Sequence, residues 1–159
     1  DAYADEGTLK SIQERFAYVF EPQHPDAKLI YKPLLRPHII DGPFEIGEQL
    51  VVPIPLDHGY STSLGFRFGD LAYTTDVVRM AESSFQALEG VGTWILSCTV
   101  DFPHEPHAEL DVVLEWIERI KPQRAVLTHL SYHFDYDELK ARLPAHVEPA
   151  YDGMIIEVA

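Results

Sequence analysis

The chain has a single cysteine, Cys98, among 159 residues. It cannot form an internal disulfide, which fits a reducing cytoplasm as its compartment. No apolar run approaches the roughly 20 residues that a membrane-spanning helix needs. Nothing near Asp1, where the sequence begins without Met, resembles a signal peptide. Cations are scarce as well. Twelve Lys+Arg stand against 26 Asp+Glu, a net charge of −14 with histidine neutral. The basic residues are scattered, with no patch to override repulsion of a phosphate backbone, so nucleic acid is not expected as a partner. No Gly-rich loop follows an expected strand, which argues against a plain nucleotide-binding domain.

What is present reads as globular. Hydrophobic residues make up 46% and charged residues 24% of the sequence, and the length suits one domain, 1–159, with a sizeable core. There is no repeat, low-complexity segment or linker. Eight histidines accompany the acidic excess. Solubility is the ordinary explanation of that excess; carboxylates and histidines balanced by divalent cations are the second.

The order of elements is that of an α/β chain. Thr8 is placed to cap a helix carrying Leu9, Ile12, Phe16 and Val19 at helical spacing, and Glu21–Asp26, with two prolines, breaks it. Lys28–Leu35, Gly47–Leu56, Ser63–Phe68 and Leu71–Thr75 read as strands, the last two joined by a tight turn at Gly69–Asp70. A short helix is expected over Met80–Leu88 and a strand over Trp94–Ser97. Leu110, Val113, Leu114, Ile117 and Ile120 form one apolar helical stripe that Pro122 ends, and Ala125–Thr128 is a buried strand. Strand, helix, strand implies parallel pairing through a right-handed crossover. Asp135 with Glu138 resembles a capping box opening a helix through Leu143; Val147–Tyr151 and Met154–Val158 are the last expected strands.

The polar residues fall in a pattern. His58, Asp76 and His129 each stand just beyond an expected strand, and His107 stands at the start of the crossover helix. In open α/β sheets ligands gather outside the carboxyl ends of strands, where residues distant in sequence meet. The spacings are too long for a local zinc-finger pattern, so any site must be assembled by the fold. Imidazole and carboxylate suit Zn, Mn, Fe or Ni, and two such ions about 3.5–4 Å apart can act on both oxygens of a phosphoryl displacement. Any one of these residues taken alone has a simpler reading, a hydrogen-bonded or half-exposed side chain. His24, His38 and His146 sit beside or near prolines in expected turns or loops, and His133 is not expected to share a helical face with His129. His104 shares a loop with His107, which suits a substrate contact.

These residues carry a resemblance. Asp57-His58-Gly59 followed by Ser63-Leu64-Gly65-Phe66, then Leu71-Ala72-Tyr73-Thr74-Thr75-Asp76, His104-Glu105-Pro106-His107, Ala125-Val126-Leu127-Thr128-His129-Leu130-Ser131 and Tyr151-Asp152-Gly153-Met154 resemble the C-terminal part of a metallo-β-lactamase-fold hydrolase. They are most similar to the branch containing phosphoribosyl cyclic phosphate phosphodiesterase, and the likeness runs from Tyr3-Ala4-Asp5 over essentially the whole chain. It implies part of an αββα sandwich, mixed sheets with flanking helices. It also implies two divalent metal ions, Zn or Mn, in the complete protein, with His58 and His129 as ligands and Asp76 as the bridging carboxylate. His107 would be a catalytic acid or base beside the substrate phosphate, in contact with substrate together with His104. A metal-bridging hydroxide would attack a small phosphorylated substrate.

The family's His-x-His-x-Asp-His run is absent from these 159 residues. The chain is therefore expected to be a truncated member, weak in metal binding and inactive by itself, with a homodimer as one assembly open to it. Alternatives from other classes are a catalytically incompetent fragment or interaction module, and a superfamily hydrolase acting on a thioester, lactone or RNA.

Overall fold

The computed structural model describes residues 1–22 and 32–157. The chain divides into two compact units, Asp1–Phe44 and Glu45–Ala159.

In the first unit, β1 (Ala2–Ala4) pairs in parallel with β2 (Pro37–Ile39). Helix α1 (Glu6–Arg15) lies between them in sequence, followed by a short 3-10 turn, Ala17–Val19. Its cap is Asp5 rather than Thr8. The Asp5 carboxylate accepts from the Thr8 amide at 3.0 Å, and the Thr8 hydroxyl donates to the same carboxylate. Both residue types cap helices, and the carboxylate is the stronger acceptor for the exposed N–H groups of a first turn. Those bonds hold the Asp5 carboxyl below its ordinary range. His38 lies in β2 rather than in a turn, stacked on Tyr3 with ring centroids 4.6 Å apart.

The second unit is built on a seven-stranded mixed sheet in the order β3-β4-β5-β6-β7-β8-β9, whose first residue, Phe44, is the last of the first unit. Its strands are β3 (Phe44–Ile46), β4 (Gln49–Asp57), β5 (Thr62–Phe68), β6 (Leu71–Thr74), β7 (Thr93–Ser97), β8 (Arg124–Thr128) and β9 (Val147–Pro149). β4, β5 and β6 are antiparallel; β6 through β9 are parallel. The β5–β6 turn falls at Gly69–Asp70, where Gly69 takes φ +59°, a conformation that favours glycine. Helices α2 (Glu82–Leu88), α3 (Leu110–Ile120) and α4 (Tyr136–Arg142) supply the rest of the core. Ile54, Leu56, Ala72, Trp94, Leu96, Ala125 and Leu127 alternate along their strands and pack with Leu88, Leu110, Val113, Ile117 and Leu139 of the helices. Leu114 and Ile120 complete the α3 stripe as partly buried residues. The β7–α3–β8 unit is parallel as expected, and Lys121, in a left-handed conformation before Pro122, ends α3. Asp135 caps α4 by accepting from the Asp137 and Glu138 amides.

Other expectations change as well. Residues 28–31 of the expected Lys28–Leu35 strand, like His24, lie outside the described residues, and residues 32–35 are not strand. Residues 154–157 of the expected last strand are irregular, with 158 outside the described residues. His107 is not at the start of α3, which begins at Leu110 after its cap, Glu109. The backbone before the helix pairs elsewhere: the Ala108 amide donates to the Val77 carbonyl at 2.9 Å and Val100 bridges Glu109. These long-range bonds hold Ala108 and Glu109 outside the helix and leave His107 in a loop. No described helix is long and apolar enough to cross a membrane.

Candidate metal centre

The expected site residues of the second unit converge beyond the carboxyl ends of the strands. His58 follows β4 directly. Its ring is set by a turn: the Asp57 carboxylate accepts from the Gly59 amide at 2.8 Å, and the His58 amide donates to the Ser61 carbonyl at 2.9 Å. His58 Nδ1 lies 3.4 Å from the Ser61 hydroxyl. Its other nitrogen, Nε2, is buried without a hydrogen-bond partner and lies 3.9 Å from Asp76 Oδ1.

Asp76 stands two residues past β6 at φ +58°, and His129 stands one past β8 at φ +60°. Left-handed backbone is unfavourable for both side chains and persists only where surroundings enforce it. At Asp76 they do. The Ser63 hydroxyl donates to the Asp76 carbonyl at 2.8 Å, the next residue, Val77, is fully buried, and the Val78 amide donates to the Asp57 carbonyl at 2.8 Å. His129 Nε2 lies 3.4 Å from the same Asp76 Oδ1 that faces His58.

His107 sits among the other rings, with centroids 5.0 Å from His58 and 5.1 Å from His129. Its Nδ1 is buried and unpartnered. Burial holds its pKa below the ordinary histidine value, helped by His129 and His58 and opposed by Asp76. Burial in a loop thus favours the neutral, proton-accepting form of His107. His104 stacks on His107 at 5.5 Å and opens onto a groove of about 550 Å³ lined also by Gly59, Tyr60, Val78, Arg79, Pro103 and Glu105.

The residues present fit a metal. Donor atoms of His58, Asp76 and His107 lie within 4.8 Å of one another, and His129 reaches the same carboxylate. Two buried imidazole nitrogens without partners are costly unless something ligates them. Imidazole with carboxylate is the donor set of borderline divalent ions. The set of donor atoms that all lie within 4.8 Å of one another includes His107 and leaves out His129, which approaches Asp76 at 3.4 Å. Arg79, whose Nε donates to Asp57 Oδ2 at 2.9 Å, escaped sequence reasoning. The only signal was its position three residues beyond Asp76.

A family model described as "Beta-lactamase superfamily domain" matches residues 1–130. The chain is 29% identical over 162 residues to an octanoyltransferase of Porphyromonas gingivalis (strain ATCC BAA-308 / W83), covering 96% of this chain and 31% of that protein. Among solved structures it is similar to a diphosphatase from the PhnP family, with TM-score 0.86, 26% identity, and coverage of 99% of this chain and 58% of that one. It also resembles the metallo-beta-lactamase fold protein YhfI from Bacillus subtilis, with TM-score 0.71, 18% identity, and coverage of 96% and 62% respectively. The chain thus spans under a third of the curated relative and somewhat over half of the PhnP-family structure. Divalent-metal binding is implied by this fold, and hydrolases are common among its members. The chain belongs to the beta-lactamase superfamily and has the mixed α/β architecture of the metallo-β-lactamase fold.

Proposed function

We propose that this chain carries part of the active site of a divalent-metal-dependent phosphodiesterase acting on a small cyclic or diester phosphate of a sugar. The observation that carries the proposal is the convergence of His58, Asp76, His107 and His129 with two buried, unpartnered imidazole nitrogens. His58, Asp76 and His129 would hold Zn or Mn, two ions in the complete protein. A divalent ion there supplies Lewis acidity and lowers the pKa of a water. His107, kept neutral by burial, accepts a proton or returns it to the leaving oxygen. His104, stacked beside it, contacts the substrate from the groove. The −14 charge favours a small substrate over RNA, and the similar PhnP-family protein is a diphosphatase.

Acyl transfer has less support. The octanoyltransferase is matched over 31% of its length. The chain's one thiol, Cys98, is fully buried, and burial pushes its pKa up to about 12, which suits an inert core residue rather than a nucleophile.

The test uses the longest form of the protein containing this chain, loaded with Mn²⁺ or Zn²⁺. Metal retained after gel filtration is measured together with hydrolysis of bis(p-nitrophenyl) phosphate. Asp76→Ala should lose bound metal and lower turnover at least ~100-fold. Unchanged metal content and turnover would overturn the assignment.

A further inference from the structure

We infer that Asp57 and Arg79 form a clamp that sets the spacing of the metal-binding side chains, making both of them positioning residues for the centre. The inference rests on the ligand assignment above and adds two residues to it.

The clamp has three parts. Asp57 Oδ2 accepts from Arg79 Nε at 2.9 Å, while Oδ1 accepts from the Gly59 amide at 2.8 Å. One carboxylate thus ties two chain segments at once. The backbones of the same two residues are bridged, with the Asp57 amide donating to the Arg79 carbonyl at 3.2 Å and the Arg79 amide donating to the Asp57 carbonyl at 3.4 Å. The Asp57 carbonyl also accepts from the Val78 amide at 2.8 Å. One clamped segment leads directly into His58, and the other leads back through the buried Val77 to Asp76. The separation fixed by the clamp is therefore the His58–Asp76 separation.

The turn beyond His58 leaves little freedom. Gly59 takes φ +74°, and a side-chain carbon there would lie 3.3 Å from the Glu105 carbonyl. The Asp57 carboxylate holds this turn from inside the chain while the backbone of Glu105 and Pro106 closes it from outside. The Arg79 and Asp57 side chains are 69% and 40% exposed. An ion pair so open to solvent contributes little to folding stability, which makes global stabilisation a poor account of so many converging bonds. A role in orienting ligands matches them better, since partners of metal ligands tune affinity without being ligands. Arg suits the task better than Lys. Its planar guanidinium fixes the direction of the bond from Nε, which a rotating ammonium cannot do.

Asp57→Ala, Arg79→Ala, the double variant and Arg79→Lys would be compared in the longest form of the protein containing this chain. Zn²⁺ affinity is read by competition with a chromophoric chelator, the Co²⁺ visible spectrum reports ligand geometry, and metal-free melting reports folding. Asp57→Ala should weaken Zn²⁺ binding about 10- to 100-fold and change the Co²⁺ spectrum, with metal-free melting nearly unchanged. The double variant should lose little more than Asp57→Ala alone, because the two residues act as one unit. Arg79→Lys should recover only part of the Arg79→Ala loss. Undiminished affinity in Asp57→Ala, or a loss matched by a proportionate fall in metal-free melting, overturns the clamp. If the unsubstituted protein retains no metal, the ligand assignment fails, and the clamp is still decided in the metal-free protein. There Asp57→Ala should speed exchange of the Gly59 amide and shift the His58 ring resonances; no change in either overturns it.

Discussion

The two rims of the seven-stranded sheet satisfy their polar groups differently. At the rim where β6, β7 and β8 begin, no buried side-chain polar atom of the described residues lacks a partner. The Asp70 carboxylate and carbonyl both accept from the Gly92 amide, at 2.8 and 3.1 Å. Arg67 donates to the carbonyls of Gly69, Ala87 and Glu89, each at 2.8 Å. Arg124 Nε donates to Glu148 at 2.6 Å. At the other rim, where these strands end, His58 Nε2, Thr99 Oγ1 and His107 Nδ1 are buried without partners, and Asp76 and His129 hold left-handed backbone just past their strands, a conformation that Lys121 takes at the first rim as a helix cap. One rim satisfies its buried side-chain polar atoms within the protein. The other holds the unpartnered ones, among them the His58 nitrogen that a metal bound as proposed would ligate.

The sharpest way to break this comparison is to relax the second rim. His129→Gly removes a side chain from the centre while giving its φ of +60° to the residue that tolerates it best. Metal affinity should fall at least ~100-fold, and the metal-free stability should stay within about 1 kcal/mol, because relief of backbone strain offsets the added chain entropy. Denaturant melts with and without Zn²⁺ check both. Excess Zn²⁺ at 100 times its Kd should stabilise the unsubstituted protein by about 2.7 kcal/mol and the variant by no more than about 0.4 kcal/mol. A large loss of metal-free stability would mean that His129 is structural and that the two rims are alike.

The first rim predicts the opposite behaviour. A methyl added at Gly92 would lie 2.0 Å from Asp70 Oδ2. It cannot be accommodated without displacing the carboxylate that accepts from the Gly92 amide. Gly92→Ala should therefore cost about 1–3 kcal/mol in denaturant unfolding, through overpacking and a lost hydrogen bond. Metal affinity should be unchanged, since the disturbance lies at the opposite ends of the strands.

The residues of the two rims were not equally legible. His58, Asp76 and His129 could be placed because each follows an apolar strand pattern, and the β7–α3–β8 unit could be ordered because its periodicity changes and Pro122 punctuates it. Local pattern carries that much. It does not carry a bond between Ala108 and Val77, which delays α3 and places His107 in a loop. Nor does it carry the Asp57–Arg79 bridge across 22 residues. The choice of Asp5 over Thr8 as a cap was equally hidden, because both residues offer an oxygen and only the three-dimensional turn decides between them. Left-handed backbone at Asp76 and His129 had no sequence sign, since neither is glycine. Tertiary bonds impose these features, and they lie mostly at the site.

The smallest expected effect tests whether satisfaction of polar groups, rather than their number, separates the rims. Arg124 and Glu148 form a short ion pair, but their side chains are 35% and 36% exposed. Water competes for both partners, so the pair should contribute about 1 kcal/mol or less. Arg124→Ala and Glu148→Ala, combined in a double-mutant cycle at low and high salt, give the coupling directly. A coupling under 1 kcal/mol that fades with salt fits the first rim, where either partner can turn to solvent when the other is lost. A coupling of several kcal/mol, insensitive to salt, would show a desolvated pair strongly dependent on its partner, and the contrast between the two ends of the sheet would then rest on the unpartnered imidazole nitrogens alone.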